Sequence, residues 1–442
     1  MSRDQTRAGR RTERTPSTPR TALLGLMVVG LTAAVLTLAG TTPRGIGAPV
    51  ESFERVELEQ RTFSCPGGIE TTTAIHGSTT VGSTESVEVG EHPVRFDDEQ
   101  DVALGAFAAQ ESRTPDWLAW SPCPEPRARW WFVGAGAAAV THDTVLTVSN
   151  PRPGQAVLDI DVFGSKGPVE APGLHGLTIA AGGSRVIDLA KVAPAVGDLA
   201  VRAVATRGLV AISAADRFAP GVVGRATQEW LPAQSAPSAT STLVGFPADP
   251  DSASLVVVNP RPVEAIVTVE VIGATGTFVP DDDLTLAVPP DSVAALPARS
   301  LFDGEPLAVR VKSTTRVSAT LRTVTDGDVA FGTGVRPVRG PTAFAVPRGA
   351  GTLVLSSLGG AGEVSMTVRR ADGELVDERS VAVPEAASVA VRVPRTARYL
   401  LLESARPDVV AGFSVTDAAG VAAAGVAPSI RSVLLPVVRP GW

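Results

Sequence analysis

Lysine, asparagine and tyrosine are almost missing from this 442-residue chain. Lysine occurs only at Lys166, Lys191 and Lys312 among 39 basic residues, asparagine only at Asn150 and Asn259, and tyrosine only at Tyr399. With abundant Ala, Gly, Pro and Val, this is the codon bias of a GC-rich genome, so an arginine carries no functional signal merely by being present. Both asparagines precede proline, which excludes Asn-x-Ser/Thr glycosylation. The four histidines, His76, His92, His142 and His175, fall in expected turns or loops at no metal-ligand spacing. Two cysteines, Cys65 and Cys123, stand too far apart in sequence for a Cys-x-x-Cys redox motif. No phosphate-cradling loop, dinucleotide fingerprint or Gly-x-Ser-x-Gly elbow is present, so His142-Asp143 near Ser149 makes a poor nucleophilic triad. Nothing in the residues calls for a cofactor or a metal.

What is present is a repeat. Asn150-Pro151-Arg152-Pro153 returns as Asn259-Pro260-Arg261-Pro262. Leu158, Ile160 and Val162 follow the first copy, and Val267, Val269 and Val271 stand at the same offsets after the second. Polar residues alternate with them, the period of a half-buried strand. Leu199-Ala200-Val201-Arg202 recurs as Leu307-Ala308-Val309-Arg310. A weaker third copy carries Leu353 to Ser357 where the Asn-Pro strands stood, then alternating Val364, Met366 and Val368. Each unit holds six or seven short strands divided by Gly, Pro and Asp turns, which predicts tandem immunoglobulin-like β-sandwiches in an all-β chain. An apolar segment opens each unit: Trp130 to Val133, Leu243 to Phe246 and Phe344 to Val346. A fourth such segment, Val433 to Val438, follows the last unit, so each domain either owns its opening strand or receives the next domain's.

Taken in order, residues 1–20 form an arginine-rich tail and 21–43 an uncharged segment. Its apolar stretch Ala22–Gly40, nineteen residues at about 1.5 Å each, approaches the roughly 30 Å thickness of a bilayer core. The arginines keep the N-terminus cytoplasmic and send the body outside. A single-pass transmembrane signal-anchor in the plasma membrane is the expectation; a cleaved signal peptide and secretion is the alternative. Residues 44–60 read as a tether, 61–128 as a small module holding both cysteines, 129–232 as the first repeat and 233–242 as a linker. The second repeat spans 243–340 and the third 341–442. Two cysteines in an exported chain pair, and a Cys65–Cys123 bond would be worth about 4 kcal/mol through chain entropy. Val102 to Ala109 is a short apolar strand or helix.

Candidate binding residues are few. Trp117, Trp120, Trp130 and Trp131 fall within 15 residues, and tryptophan faces stack on sugars and on proteins. Trp117, Trp120 and Trp131 are the candidates; packing the N-terminal module onto the first repeat is the competing role. Adjacent strand residues point to opposite faces, so one of Trp130 and Trp131 enters the sandwich core. The other faces the N-terminal module or a partner. Arg152 and Arg261 are binding candidates beside the plain turn role of Asn-Pro-Arg-Pro. Acidic clusters at Asp97 to Asp101, at Asp281 to Asp283, and at Asp249 and Asp251 lack calcium-loop spacing and read as solvated loops. The net charge of −7 includes a basic tail, so the exported body is more acidic still and disfavours nucleic acid and anionic polymers.

The chain resembles a family of actinobacterial exported proteins of unknown function over roughly residues 20–440. The resemblance rests on the N-terminal anchor, the two Cys-Pro sites, Trp130-Trp131-Phe132-Val133-Gly134, and the Leu-x-Val-x-Asn-Pro run of the first two units. The third unit departs from it in lacking Asn-Pro. Members are often encoded beside a membrane glycosyltransferase, which implies a cell-envelope setting and no assigned activity. The expectation is a membrane-anchored binding or scaffolding protein that supports envelope glycan assembly. Its partners would be the lipid bilayer and either a glycosyltransferase or envelope glycan, with no nucleic acid. The competing class is an envelope enzyme, such as a glycan hydrolase using loop carboxylates. Protease added to intact protoplasts should degrade residues 50–442 and spare the tail; a protected full-length chain would refute this orientation.

Overall fold

The computed structural model describes residues 53–57, 61–65, 71–76, 79–83 and 94–96, and 107–436 apart from short gaps at 139–140, 220–225, 235, 281–283, 371–373, 407 and 429–431. The expected tail, the Ala22–Gly40 span and most of the tether lie outside these residues. No helix among the described residues is long and apolar enough to cross a membrane. The chain divides into two compact units, Met1–Val56 with Leu434–Trp442, and Glu57–Val433. Strands Phe53–Glu57 and Ser432–Pro436 pair in a two-stranded sheet of their own. All that follows concerns the larger unit.

The chain is all-β, and among the described residues only Leu189–Val192 forms a turn of α-helix. In the first repeat, strand Ala195–Arg207 lies between the opening strand Arg129–Ala138 and Ala156–Gly164. Lead strand His142–Ser149 lies between Ser184–Asp188 and Ala211–Phe218, and Thr227–Trp230 closes that edge. Alternation sends Phe132, Leu146, Leu158, Ile160, Leu199 and Ile212 into one core. The second repeat repeats this order, except that one 18-residue strand, Ala308–Thr325, serves both sheets. Its first half pairs with Ser238–Val244 and Ala265–Gly273, its second half with Ser252–Asn259 and Asp328–Gly334. The third repeat has two separate four-stranded sheets. One runs Ser388–Val393, Gly351–Ser357, Val409–Thr416, Val421–Gly425.

The N-terminal module has the same sheet order: Thr79–Ser83, Thr71–His76, Phe107–Arg113, Leu118–Pro122. It is a fourth β-unit, and the ambiguous segment before Ala109 is a strand from Phe107. Cys65 and Cys123 are bonded, with Cα atoms 4.8 Å apart, and tie the start of this unit to the end of its closing strand. Each opening strand pairs within its own unit, as Val201 opposite Phe132, Leu243 opposite Val309 and Phe344 opposite Leu400 show. The expected linker at 233–242 is a correction. Gln234 is buried, its side chain bonded to Thr320 and Ser318, and strand Ser238–Val244 begins almost at once. Ala236 and Ser238 to Thr240 stay exposed, so the Gln234 bonds and the strand pairing, not burial of these small residues, order the segment.

The opening strands are apolar on both faces because both are covered. Trp130 enters the first repeat's core, while Trp131, Val133, Phe163 and Ala200 meet Val256, Val258 and Val293 of the second repeat. The same positions one unit on, Val244, Ile272 and Ala308, meet Val410 of the third. The third repeat and the N-terminal unit share one apolar cluster.

The two asparagines hold equivalent places. Asn150 Nδ2 donates to the carbonyls of Gly154 (2.8 Å), Ile179 (3.2 Å) and Ala180 (3.1 Å), and its Oδ1 accepts the N–H of Arg152 (3.2 Å). Asn259 does the same with Val263 (2.7 Å), Val288 (3.1 Å), Pro289 (3.1 Å) and Arg261 (3.1 Å). In the third repeat Ser357 accepts from Gly359 N and donates to Gly360 O, a shorter reach that closes a tighter turn. Asn150→Ala and Asn259→Ala should each cost about 2–3 kcal/mol, because buried carbonyls lose their donor. Arg152→Ala, at an exposed site, should change stability by under about 0.5 kcal/mol; urea denaturation of the three variants measures both.

Candidate ligand-binding site

The four closing strands pack side by side in a ring: Leu118–Pro122 against Thr227–Trp230 and Val421–Gly425, and Asp328–Gly334 against the same two. Among the described residues, strand Leu118–Pro122 has a ladder partner on one side only, Phe107–Arg113. On its other side, Leu118 N donates to Asp328 Oδ2 (3.1 Å) and Trp120 N to Glu229 Oε1 (3.0 Å). Val421 N reaches the same Asp328 oxygen at 2.8 Å. Two carboxylates thus satisfy backbone donors that no neighbouring strand meets. Burial pushes the Asp328 carboxyl up to about 6, although the N–H groups of Val421, Leu118 and Val329 favour its charged form. Burial raises the fully enclosed Glu229 well above the usual range, with Asp328 and Asp216 adding to the effect.

Hub and surface meet at the turn Asp417 to Gly420. A Cβ on Gly420, where φ is +155°, would stand 2.0 Å from Asp328 Oδ2, so the turn is seated directly on the hub. Asp417 Oδ1 accepts Ala419 N (2.8 Å), and its other oxygen takes Arg113 Nη1 at 2.5 Å. Arg113, at the end of its strand, also reaches Glu111 Oε1 (3.4 Å) and the Arg348 carbonyl. Glu111 Oε2 accepts Arg348 N at 2.9 Å and fixes that loop. Around these pairs lies a solvent-open depression of about 610 Å³, lined by Arg113, Pro115, Arg348, Gly349, Arg395 and the Asp417 to Ala419 turn. It straddles the seam between the N-terminal unit and the third repeat. Burial opposes the charge on Arg113, but Asp417 and Glu111 outweigh it and raise its pKa. Burial lowers Arg398 behind the depression; Glu111 offsets this, while Arg348 and Arg113 lower it further.

The residues expected to bind do not assemble. Trp120 and Trp131, 6% and 7% exposed, are walled into two different interfaces. Half-buried Trp117 packs beside Trp120 against the cluster shared with the third repeat. Burial thus corrects the reading of these rings as an open platform, and Trp131 faces the second repeat rather than the N-terminal module. Arg152 and Arg261 are exposed on separate turns, where only their backbone N–H groups bond the asparagines. His142 opens a strand rather than lying in a loop. Its Nε2 sits 3.1 Å from both oxygens of Asp216, and its Nδ1 3.7 Å from Asp198. Ser149 lies at the far end of the same strand, about 23 Å away. Asp249 pairs with Arg299 and Asp251 accepts Asp326 N. The clusters Asp97 to Asp101 and Asp281 to Asp283 lie outside the described residues. No metal-holding group of His, Cys, Asp and Glu occurs among the described residues. The arginine depression went unread because Arg113 and Arg348 are 235 positions apart, and arginines abound.

The fold and site define a multi-unit β-protein closed on a carboxylate hub, with an arginine-lined depression at one seam. The chain belongs to the Family of unknown function (DUF5719), whose model matches residues 66–394. No curated protein matches it. Among solved structures it is similar at 11% identity to Streptomyces avermitilis alpha-L-rhamnosidase complexed with L-rhamnose, with a TM-score of 0.13. The match covers 87% of this chain and 56% of that one, so the chain spans little more than half the enzyme's length.

Asp328 supplies a pH test. Its folded-state value of about 6, against 3.8 ordinarily, means the folded chain keeps a proton that the unfolded chain releases first. That stabilisation is full below about pH 4 and is lost as pH rises through about 6; Glu229 acts in the same sense. The stability of the wild type relative to Asp328→Asn should therefore fall by up to about 3 kcal/mol between about pH 4 and pH 7 in urea denaturation. A difference that grows with pH would contradict the assignment.

Proposed function

We propose that this chain is a membrane-anchored, extracytoplasmic binding and scaffolding protein of the cell envelope. Its units read as immunoglobulin-like sandwiches held outside the membrane by the N-terminal helix expected at Ala22–Gly40. The observation that carries the reading is how the hub is spent. Asp328 and Glu229 cap strand edges, and Asp216 holds His142 and Thr144, so these buried carboxylates work in cohesion. The open concavity offers guanidinium groups, which suit recognition. The Cys65–Cys123 bond fits an oxidising compartment. A membrane glycosyltransferase or the glycan it builds is the expected partner.

Affinity capture of the tagged full-length chain from its native membrane, after cross-linking, tests this. Enrichment of an envelope membrane protein is the expected outcome, with no release of reducing ends when purified chain meets envelope glycan. Glycan cleavage by the purified chain would overturn the reading in favour of a hydrolase.

A further inference from the structure

We infer that the depression lined by Arg113, Arg348 and Arg395 is a binding site for a small phosphorylated ligand of sugar-phosphate size. The inference rests on the binding role proposed above and gives it a ligand class. Three guanidinium groups line it, those of Arg113, Arg348 and Arg395, with Arg398 behind them, against two carboxylates, Glu111 and Asp417. The local excess is positive in a chain whose net charge is −7.

The arginines divide the work. Arg113 is a fixed floor: Nε donates to Glu111, Nη1 to Asp417 and Nη2 to the Arg348 carbonyl. A guanidinium carries five N–H donors, so two remain on Arg113. Its side chain keeps 28% of its surface exposed toward the depression. Arg348 stands half-exposed, its backbone N–H bonded to Glu111 Oε2 and its Nε paired with Glu111 Oε1 at 3.4 Å. Arg395 is exposed and forms no ion pair among the described residues. Arg398 Nη1 donates to the Arg395 carbonyl at 3.0 Å and holds that turn in place. The scaffold is thus ordered before any ligand arrives, which reduces the entropic cost of binding.

Size and charge choose the class. About 610 Å³ lies in the usual range for a small-molecule pocket. Guanidinium forks bind phosphate and carboxylate alike. Three of them lining the depression, from a strand end and two loops, match the three peripheral oxygens of a phosphomonoester better than the two of a carboxylate. The acidic body repels an extended polyanion, so a single compact phosphoryl group is favoured.

Calorimetric titration of the full-length chain with glucose 1-phosphate, inorganic phosphate and glucuronate tests this. Glucose 1-phosphate should bind, inorganic phosphate more weakly and glucuronate least. Arg395→Ala and Arg348→Ala should each weaken glucose 1-phosphate by about tenfold or more, the usual worth of a charge-assisted hydrogen bond. The melting temperature should hold, and Arg395→Lys should recover part of the affinity. Arg207→Ala, at an exposed arginine elsewhere, should change nothing. Equal binding of phosphate and glucose 1-phosphate would support the phosphoryl site and reject the sugar. No binding, binding unaltered by Arg395→Ala, or tighter binding of glucuronate would overturn the inference. A chain that keeps its membrane partner yet ignores glucose 1-phosphate would refute this site and leave the scaffold role standing.

Discussion

The backbone N–H groups of Leu118 and Trp120 lie on an open strand edge, and the architecture turns on what meets them. An open edge normally pairs with another strand or faces water. Here it meets Asp328 and Glu229, carried by the closing strands of the second and first repeats. Val421 of the third repeat shares the Asp328 oxygen, so side chains from two repeats bind backbone from the other two units. Enclosing these carboxyl groups is costly, and the cost is recovered only while every closing strand is in place. The contact therefore couples all four β-units.

Packing outside the hub follows the same logic. Strands such as Arg129–Ala138 and Ser238–Val244 bury one face in their own unit's core and the other against the next unit. Gly412 shows how close the approach is, since a Cβ there would lie 2.2 Å from Gly245 N. Gln234, bonded to Thr320 and Ser318, and Arg322, bonded to Asp198, add polar contacts between the first and second repeats. The arginine depression is a product of this closure. Arg113 comes from the N-terminal unit, Arg348, Arg395 and Asp417 from the third repeat, and the Asp417 turn rests on Asp328.

What the sequence determined by itself is local. Period-two alternation after each Asn-Pro gave strands at Ala156–Gly164 and Ala265–Gly273, because one covered face imposes that period. The asparagines could be read as turn anchors, since few side chains can both accept from residue i+2 and donate across a loop. The two cysteines could be paired because no other thiol exists. Trp130 and Trp131 could be sent to opposite faces by the geometry of a strand.

Tertiary structure alone decided which surfaces those faces meet. A double-sided apolar strand reads the same whether its second face covers a partner or the next repeat, and only the packing placed Trp131 against Val256 and Val258. The N-terminal module was not legible as a fourth unit, because its kinship lies in strand order and not in residue pattern. Asp328 follows Asp326-Gly327 in a hairpin with no sequence mark of its own, and its burial depends on strands about 90 to 210 positions away. The arginine site needed the closed arrangement for the same reason: spacing along a chain limits neighbours within a strand or turn, and says nothing of residues that meet only when four units close.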